Sequence, residues 1–304
     1  MHNLRTVNDL IRWGASRFGA ADIHFGHGTD NAIDEAAHLA LHALHLPATM
    51  PSALYGAALT DDEVRRVIAL IERRITERRP AAYLTGEAWF CGLPFYVDPR
   101  VLIPRSPIAE LITQQFEPWV DAERIERILD LCTGSGCIAI ACAHAFADAT
   151  VVASDLSEDA LQVAHRNVAR HHVADRVLLK RSDLFAAHAG ERYDLVVTNP
   201  PYVDAAEMDA LPAEFHHEPV LGLTAGADGL DIALRILRDA PDHLTDDGVL
   251  VCEVGASQPA LESLLPDLPL SWVEFQHGGD GVFVIDAAGL KAHRAAVAAA
   301  LKRR

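Results

Sequence analysis

Short apolar segments alternate with helical segments through the last two thirds of the chain, and this alternation limits the fold more than any other feature. The candidate strands are Ile128–Cys132, Thr150–Asp155, Val177–Lys180, Tyr193–Thr198, Val249–Glu253, Trp272–Gln276 and Val282–Ile285. Helical stretches follow most of the first five, an order typical of a parallel, doubly wound α/β sheet. A glycine-rich turn separates the last two strands, which predicts an antiparallel hairpin at the sheet edge.

The first 85 residues have helical patterns instead. Asn31 precedes an amphipathic segment, and Asp34 three residues later completes a capping pair. Asp61–Arg79 places its apolar residues on one helical face, and Pro80 follows as a stop signal. These patterns predict a small N-terminal helical domain.

Aromatic residues around Gly92 and Pro94 predict a β-hairpin after the helices. The chain is therefore expected to divide into a helical domain (1–85), a hairpin linker (86–106) and an α/β domain (107–304).

A glycine-rich loop leaves the first strand of the α/β domain and enters a helix. Its sequence is Asp130-Leu131-Cys132-Thr133-Gly134-Ser135-Gly136. Glycine lets the backbone turn sharply and approach a ligand closely. Asp155 ends the next strand, 19 positions after Gly136, where a carboxylate can accept both hydroxyls of an adenosine ribose. The loop alone is compatible with NAD and with S-adenosylmethionine.

The segment Asn199-Pro200-Pro201-Tyr202 follows the fourth strand and favours S-adenosylmethionine. Ligands of open α/β sheets bind beyond the carboxyl ends of the strands, so this motif should face the same crevice as the glycine loop. Asn199 offers a side-chain carbonyl and Pro200 a backbone carbonyl, and proline holds both rigidly. Two such acceptors fit the hydrogens of a planar NH2 group, and Tyr202 offers it a flat face.

Bulk properties exclude several classes of protein. The formal net charge of −17 argues against a nucleic-acid-binding surface over much of the molecule. Five cysteines without a C-x-x-C spacing indicate a reducing compartment. No apolar run is long enough to span a membrane, so a cytoplasmic location is expected, and no metal site is predicted.

Taken together, the glycine loop, Asp155 and Asn-Pro-Pro-Tyr resemble class I methyltransferases that modify amino groups on planar systems. These comprise DNA adenine N(6) enzymes and protein glutamine N(5) enzymes. The stretch from Tyr83 to Arg105 and the helical N-terminus are similar to the glutamine branch. Within that branch, some details resemble the type that methylates the third large-subunit ribosomal protein, rather than the sister type that acts on the Gly-Gly-Gln of release factors. They are Gly26-His27-Gly28-Thr29-Asp30-Asn31, the cysteine-containing glycine loop, Arg105-Ser106-Pro107 and His217-Glu218-Pro219.

The resemblance implies a seven-stranded, mostly parallel sheet with an antiparallel edge hairpin, and S-adenosylmethionine as cofactor. It implies that Asn199, Pro200, Pro201 and Tyr202 hold the glutamine amide, with Asn199, Pro200 and Tyr202 catalytic. Arg105 and Glu110 would line the same mouth. The cofactor would contact Asp130, Cys132, Thr133, Gly134, Ser135, Gly136, Asp155, Leu156, Asp183, Leu184 and Asn199.

Four other functions stay open from the sequence. A release factor is the alternative protein substrate. DNA adenine methylation would call for a basic recognition face, which the acidic composition does not favour. The other two, a nicotinamide-dependent oxidoreductase and a non-catalytic assembly factor, belong to a different class from the methyltransferases. The leading prediction is methylation of a glutamine in a large-subunit ribosomal protein, with no membrane partner and no direct DNA binding.

Overall fold

Contacts divide the described chain into two units. This computed structural model describes residues 4–303, apart from the side chains of Ala205, Ala206 and Asp209. The first unit combines the chain up to Ala88 with Val97–Pro99 and Leu211–His217, and the second contains the rest. Leu211–His217 therefore belongs to the mainly N-terminal unit, although it follows the Asn-Pro-Pro-Tyr motif in sequence.

Helices make up most of the first unit. They are α1 (Val7–Ala20), α2 (Ala32–Ala43), α3 (Asp61–Glu77) and α4 (Ala81–Thr85). The predicted cap of α2 is present, since the Asn31 side chain accepts from the Asp34 N–H and donates to the Asp34 carboxylate. Helix α3 ends two residues before the predicted Arg79, because Arg78 adopts a left-handed conformation with φ of 54°.

A charged cluster lies inside this unit beside the apolar core. Arg74 is fully buried, and its guanidinium donates to Glu35 Oε1 at 2.7 Å, to Glu214 Oε1 at 3.5 Å and to the His24 carbonyl at 2.9 Å. The backbone N–H of His24 also donates to Glu214 Oε1 at 3.2 Å. Buried charges need partners of this kind, so the cluster joins the segment Leu211–His217 to α2 and α3.

The predicted hairpin is formed by β1 (Glu87–Phe90) and β2 (Leu93–Tyr96). Cys91 and Gly92 make the turn with positive φ, as two-residue hairpin turns require. Asn167 fixes the end of β2, because its side chain accepts from the Tyr96 N–H and donates to the Tyr96 carbonyl.

A seven-stranded sheet forms the centre of the described second unit, as predicted. Its strands are β3 (Arg127–Leu131), β4 (Thr150–Asp155), β5 (Val177–Arg181), β6 (Tyr193–Thr198), β7 (Leu244–Glu253), β8 (Ser271–Trp272) and β9 (Val282–Asp286). The order is β5-β4-β3-β6-β7-β9-β8, in which β9 is antiparallel to β7 and β8 is antiparallel to β9. The predicted antiparallel hairpin therefore lies at one edge.

Helices that contribute residues to the two apolar clusters of this unit cover both faces of the sheet. The α-helices of the unit are α5 (Ile108–Thr113), α6 (Cys137–Ala145), α7 (Glu158–Arg170), α8 (Ala205–Ala210), α9 (Asp231–Asp239), α10 (Gln258–Leu264) and α11 (Ala287–Lys302). Successive strand residues enter different cores: Ile128 packs with α5 and α6, whereas Leu129 packs with α9 and α11. Period-two alternation between two apolar faces is what a sheet buried on both sides requires.

The boundaries of β7 and β8 differ from the prediction. Strand β7 begins at Leu244 rather than Val249, because Leu244 pairs with Tyr193 across an irregularity in the register. The intervening Asp246 and Asp247 are exposed and resemble a loop in sequence. Strand β8 is shorter than predicted and ends at Trp272. None of the helices in residues 4–303 has the length and apolar character needed to cross a bilayer.

Candidate active site

Three neighbouring parallel strands end side by side in the second unit. Leu131 of β3 pairs with Ser154 of β4 on one side and with Thr198 of β6 on the other. The next residues along each strand are Cys132, Asp155 and Asn199. The chain passes from β3 to β4 in one direction and later returns to β6 on the opposite side, so the ends of β3 and β6 form the crevice where such sheets bind ligands. The structure thus brings the predicted glycine loop, Asp155 and the Asn-Pro-Pro-Tyr motif to one edge.

Backbone N–H groups of the glycine loop bind it to the end of β4. The N–H of Thr133 donates to the Ser154 carbonyl at 3.0 Å, and the N–H of Gly134 donates to Asp155 Oδ2 at 2.9 Å. Gly134 and Gly136 have φ of 55° and 80°. A Cβ added at Gly134 would meet no atom within 4 Å, so the loop backbone borders open space. That space fits the close approach of a cofactor.

The Asp130 side chain binds the glycine loop and the start of the following helix. Its side chain is fully buried, and Oδ2 accepts from the Thr133 hydroxyl at 2.5 Å and from the Ala139 N–H at 3.0 Å. Oδ1 has no hydrogen-bond partner among the described residues. Burial raises the pKa of Asp130 to about 7, against the opposing effect of the Thr133 hydrogen bond. Asp130 therefore orders the loop rather than presenting its carboxylate at the surface of the crevice.

Asp155 is better placed to contact a ligand. Oδ2 accepts from Gly134 and Oδ1 from the Ser157 N–H at 2.8 Å. Each carboxylate oxygen can accept a further hydrogen bond, so two ribose hydroxyls remain compatible with this arrangement. Burial also raises the pKa of Asp155, with the backbone N–H groups acting in the opposite direction.

The remaining residues predicted for the nucleotide differ in exposure. Leu156 is 48% exposed and Leu184 is buried with a left-handed φ of 49°. Such a φ is strained for leucine and is typical of functional loops. Asp183 Oδ1 accepts from the Arg235 guanidinium at 2.8 Å, so its carboxylate is already paired.

The Asn-Pro-Pro-Tyr segment is fixed at both ends. Before it, the Thr198 hydroxyl donates to the Leu131 carbonyl at 2.8 Å. After it, the Val203 N–H donates to the Leu223 carbonyl at 2.8 Å. The Asn199 side chain is half-buried and makes no hydrogen bond within the described part of the chain. Its amide is thus available in an otherwise restrained segment.

Tyr202 contacts residues that the sequence did not single out. Its hydroxyl donates to Glu253 Oε1 at 2.8 Å, and its carbonyl accepts from the Ser257 hydroxyl at 3.1 Å. Burial raises the pKa of Tyr202 well above its ordinary value, and the Glu253 charge adds to this effect. Glu253 ends β7, and a carboxylate at the carboxyl end of a parallel strand was the one available signal of its place in the site.

Arg105 and Glu110 are both engaged by other residues. The guanidinium of Arg105 pairs with both carboxylate oxygens of Glu218, at 2.6 and 2.8 Å. Glu218 Oε1 also accepts from the Ile103 N–H at 3.0 Å. Glu110 accepts from the Gln276 N–H at 3.1 Å. The role of Glu218 as the partner of Arg105 was not apparent from the sequence.

Comparison with known proteins supports the class of fold. Residues 110–218 match the methyltransferase small domain family, and residues 9–86 match the PrmC N-terminal domain family. The hMettl16 catalytic domain, solved in complex with MAT2A 3'UTR hairpin 1, superposes with a TM-score of 0.51 at 17% identity, covering 90% of this chain and 89% of that one. That likeness shows the fold alone. The sheet order, the glycine loop and the methyltransferase domain together define a class I methyltransferase that uses S-adenosylmethionine, as the sequence predicted.

Curated relatives then identify the family. The ribosomal protein uL3 glutamine methyltransferase of Xanthomonas campestris pv. campestris is 56% identical over 97% of this chain and 95% of the relative. The protein of the same name from Xylella fastidiosa is 55% identical with the same two coverages. The chain belongs to the ribosomal protein uL3 glutamine methyltransferase family, which confirms the resemblance seen in its motifs.

Proposed function

We propose that this chain transfers a methyl group from S-adenosylmethionine to the side-chain amide nitrogen of a glutamine in ribosomal protein uL3. The relatives named for this activity span nearly the whole chain. The observation that carries the proposal is the half-buried Asn199 side chain, which has no hydrogen bond to the described residues and follows the strand next to the glycine loop. The acidic net charge of −17 favours encounter with a basic ribosomal protein.

The proposed chemistry needs orientation more than proton transfer. An amide nitrogen is a weak nucleophile because its lone pair is delocalised into the carbonyl. The Asn199 side-chain carbonyl and the Pro200 backbone carbonyl accept the two amide hydrogens, and Pro201 and Tyr202 restrict where the amide lies. S-adenosylmethionine supplies an activated methyl group when bound. The chain contributes by holding the nitrogen in line with that group, which accounts for several kcal/mol of the barrier.

The proposed cofactor contacts follow the strand ends. The loop from Cys132 to Gly136 borders the methionine part, with Asp130 supporting the loop from below. Asp155 would accept the ribose hydroxyls. Leu156, Asp183 and Leu184 would lie beside the adenine.

The proposal also assigns a separate role to each part of the chain. Residues 1–85 recognise the protein substrate, 86–106 form the linker and 107–304 carry out transfer. Because ribosomal proteins are made in the cytoplasm, the enzyme acts there, without membrane or direct DNA contact.

The test compares protein substrates side by side. Purified enzyme is incubated with labelled S-adenosylmethionine and either uL3 or a release factor, and the modified residue is located by mass spectrometry. We expect a single methylated glutamine in uL3. Transfer only to the release factor would refute the proposed substrate while leaving the methyltransferase assignment intact.

Two substitutions at one position test the role of Asn199. Asn199→Ala removes the acceptor and should reduce transfer by roughly 100-fold or more, by analogy with other lost positioning groups. Asn199→Asp keeps an acceptor oxygen of similar shape and should retain more activity than the alanine variant. Cofactor affinity should change little in either case. Full transfer by Asn199→Ala would refute the role of this residue.

A further inference from the structure

Glu253 is a buried carboxylate that connects two remote parts of the active site. It is the last residue of β7, and only 3% of it is exposed. Its Oε1 accepts from the Tyr202 hydroxyl at 2.8 Å, and its Oε2 accepts from the Ser106 hydroxyl at 2.5 Å. Cys252 pairs with Thr198, so Glu253 lies one position beyond that pair, as Asn199 does on the neighbouring strand.

Two hydroxyl donors and one cation offset part of the cost of burying the Glu253 carboxylate. Burial raises the pKa of Glu253, whereas the Ser106 and Tyr202 hydrogen bonds and the nearby Arg105 lower it. Hydrogen bonds from hydroxyls to a carboxylate are short and strong, which offsets part of the desolvation cost. Ser106 is itself fixed, because its oxygen accepts from the Ile108 N–H at 3.2 Å.

Tyr202 is restrained at three points around Glu253. Its hydroxyl is bound by Glu253 and its carbonyl by Ser257. One edge of the ring lies against the backbone of Gly255, where an added Cβ would be 2.5 Å from Cε2. The only side-chain hydrogen bond that sets the far end of the ring is the one to Glu253, among the residues the structure describes. Loss of that bond would leave the ring free to tilt.

We propose that Glu253, held in place by Ser106, is a positioning residue that sets the Tyr202 ring for the methyl-accepting amide. The inference rests on the proposed function, in which Tyr202 gives the glutamine amide a flat surface. Glu253 contacts the tyrosine and not the substrate. Its effect therefore appears in the rate of transfer and not in cofactor binding.

The experiment is a double-mutant cycle on the full-length enzyme with uL3. Tyr202→Phe, Glu253→Leu (which removes both acceptor oxygens) and the double variant are compared by steady-state kinetics and by cofactor titration. We expect each single change to lower kcat roughly 10- to 100-fold, the range that small misplacements of a reacting group produce. We expect the double variant to be no slower than the slower single variant by more than about twofold, because both changes break the same bond.

A second tyrosine–glutamate pair provides the matched control. The Tyr193 hydroxyl donates to Glu191 Oε2 at 2.6 Å, and Tyr193 lies at the start of β6, at the opposite end of the strand from Asn199. Tyr193→Phe should lower thermal stability without changing kcat. Unchanged kcat in Glu253→Leu, or losses in the two single variants that multiply in the double variant, would overturn the inference.

Two further variants keep the test decisive. If Glu253→Leu does not fold, Ser106→Ala removes the other hydroxyl from the carboxylate, and it should lower kcat with cofactor affinity unchanged. A Ser106→Ala enzyme with wild-type kcat would then count against the proposal. A crystal structure of Glu253→Ala addresses the ring directly and needs no substrate. We expect a displaced Tyr202 ring, and an undisturbed ring would overturn the inference even if uL3 proved to be the wrong substrate.

Discussion

The guanidinium of Arg74 lies 3.5 Å from the carboxylate of Glu214, although 140 positions separate the two residues in sequence. The same guanidinium binds Glu35 at 2.7 Å, and all three side chains are buried. A cation between two carboxylates therefore holds the segment Leu211–His217 within the helical unit. Removing the Arg74 cation would leave the buried Glu35 without its ion-pair partner and Glu214 with Arg78, whose Nε lies 3.3 Å from Oε1.

Arg74→Met tests this cluster. We expect the free energy of unfolding to fall by about 3–5 kcal/mol, as when one partner of a buried ion pair is removed. The adjacent Arg73 pairs with Glu77 on the surface, so Arg73→Met should cost only about 0–1 kcal/mol. Urea unfolding followed by circular dichroism measures both. An equal loss of unfolding free energy in the two variants would show that burial of the cluster does not raise the cost of removing the cation.

Two glycines of the cofactor loop should respond differently to alanine. At Gly136, where φ is 80°, an added Cβ would lie 3.2 Å from the Ala164 Cβ, so the change should cost about 1–3 kcal/mol of stability. At Gly134 the added Cβ meets only open space, so the stability loss should be smaller, about 1 kcal/mol. Gly134→Ala should instead weaken S-adenosylmethionine binding, because the methyl group occupies the space proposed for the cofactor. Thermal unfolding and calorimetric titration separate the two effects, and unchanged affinity in Gly134→Ala would contradict the proposed contact.

Asp130 should make stability depend on pH. Its pKa rises from 3.8 to about 7 on folding, so between those values the folded chain holds a proton that the unfolded chain has lost. This contribution to stability is present below about pH 4 and is lost as the pH rises to about 7. Asp130→Asn cannot titrate, so its stability relative to the wild type should rise between pH 4 and pH 8 by roughly 2–4 kcal/mol. Denaturant unfolding of both proteins at the two pH values is the measurement, and a constant difference would argue against the raised pKa.

The pair between Arg105 and Glu218 should depend on the shape of the guanidinium. Both of its terminal nitrogens contact the buried carboxylate, and a lysine cannot reproduce that geometry. Arg105→Lys should therefore lower the free energy of unfolding by about 1–3 kcal/mol. Arg124 pairs with Asp247 at the surface, and Arg124→Lys should change stability by less than about 0.5 kcal/mol. Thermal melts compare the two variants. If Arg105→Lys is as stable as Arg124→Lys, the bidentate contact adds nothing to the stability of the folded chain.

Some strand boundaries show where local pattern stops being informative. The apolar run from Val249 predicts only the second half of β7, because Thr245 to Gly248 have the composition of a turn. Their strand conformation follows from the pairing of Leu244 with Tyr193, a residue 51 positions earlier. Conversely, the alternating apolar and polar residues of Trp272–Gln276 predict a longer β8 than the two residues that pair with β9.

The sequence by itself determined the class of fold, the cofactor loop and the position of the Asn-Pro-Pro-Tyr motif. Each depends on neighbours in the chain: the alternation of strand and helix, glycines within one turn, and a motif directly after a strand. Only the tertiary structure decided that Glu253 and Ser106 meet at Tyr202, and that Glu214 joins Arg74 in the helical unit. These side chains lie 51 to 147 positions from their partners, so their hydrogen bonds have no local signature. A buried carboxylate needs donors wherever the fold supplies them, and that supply is a property of the packed chain.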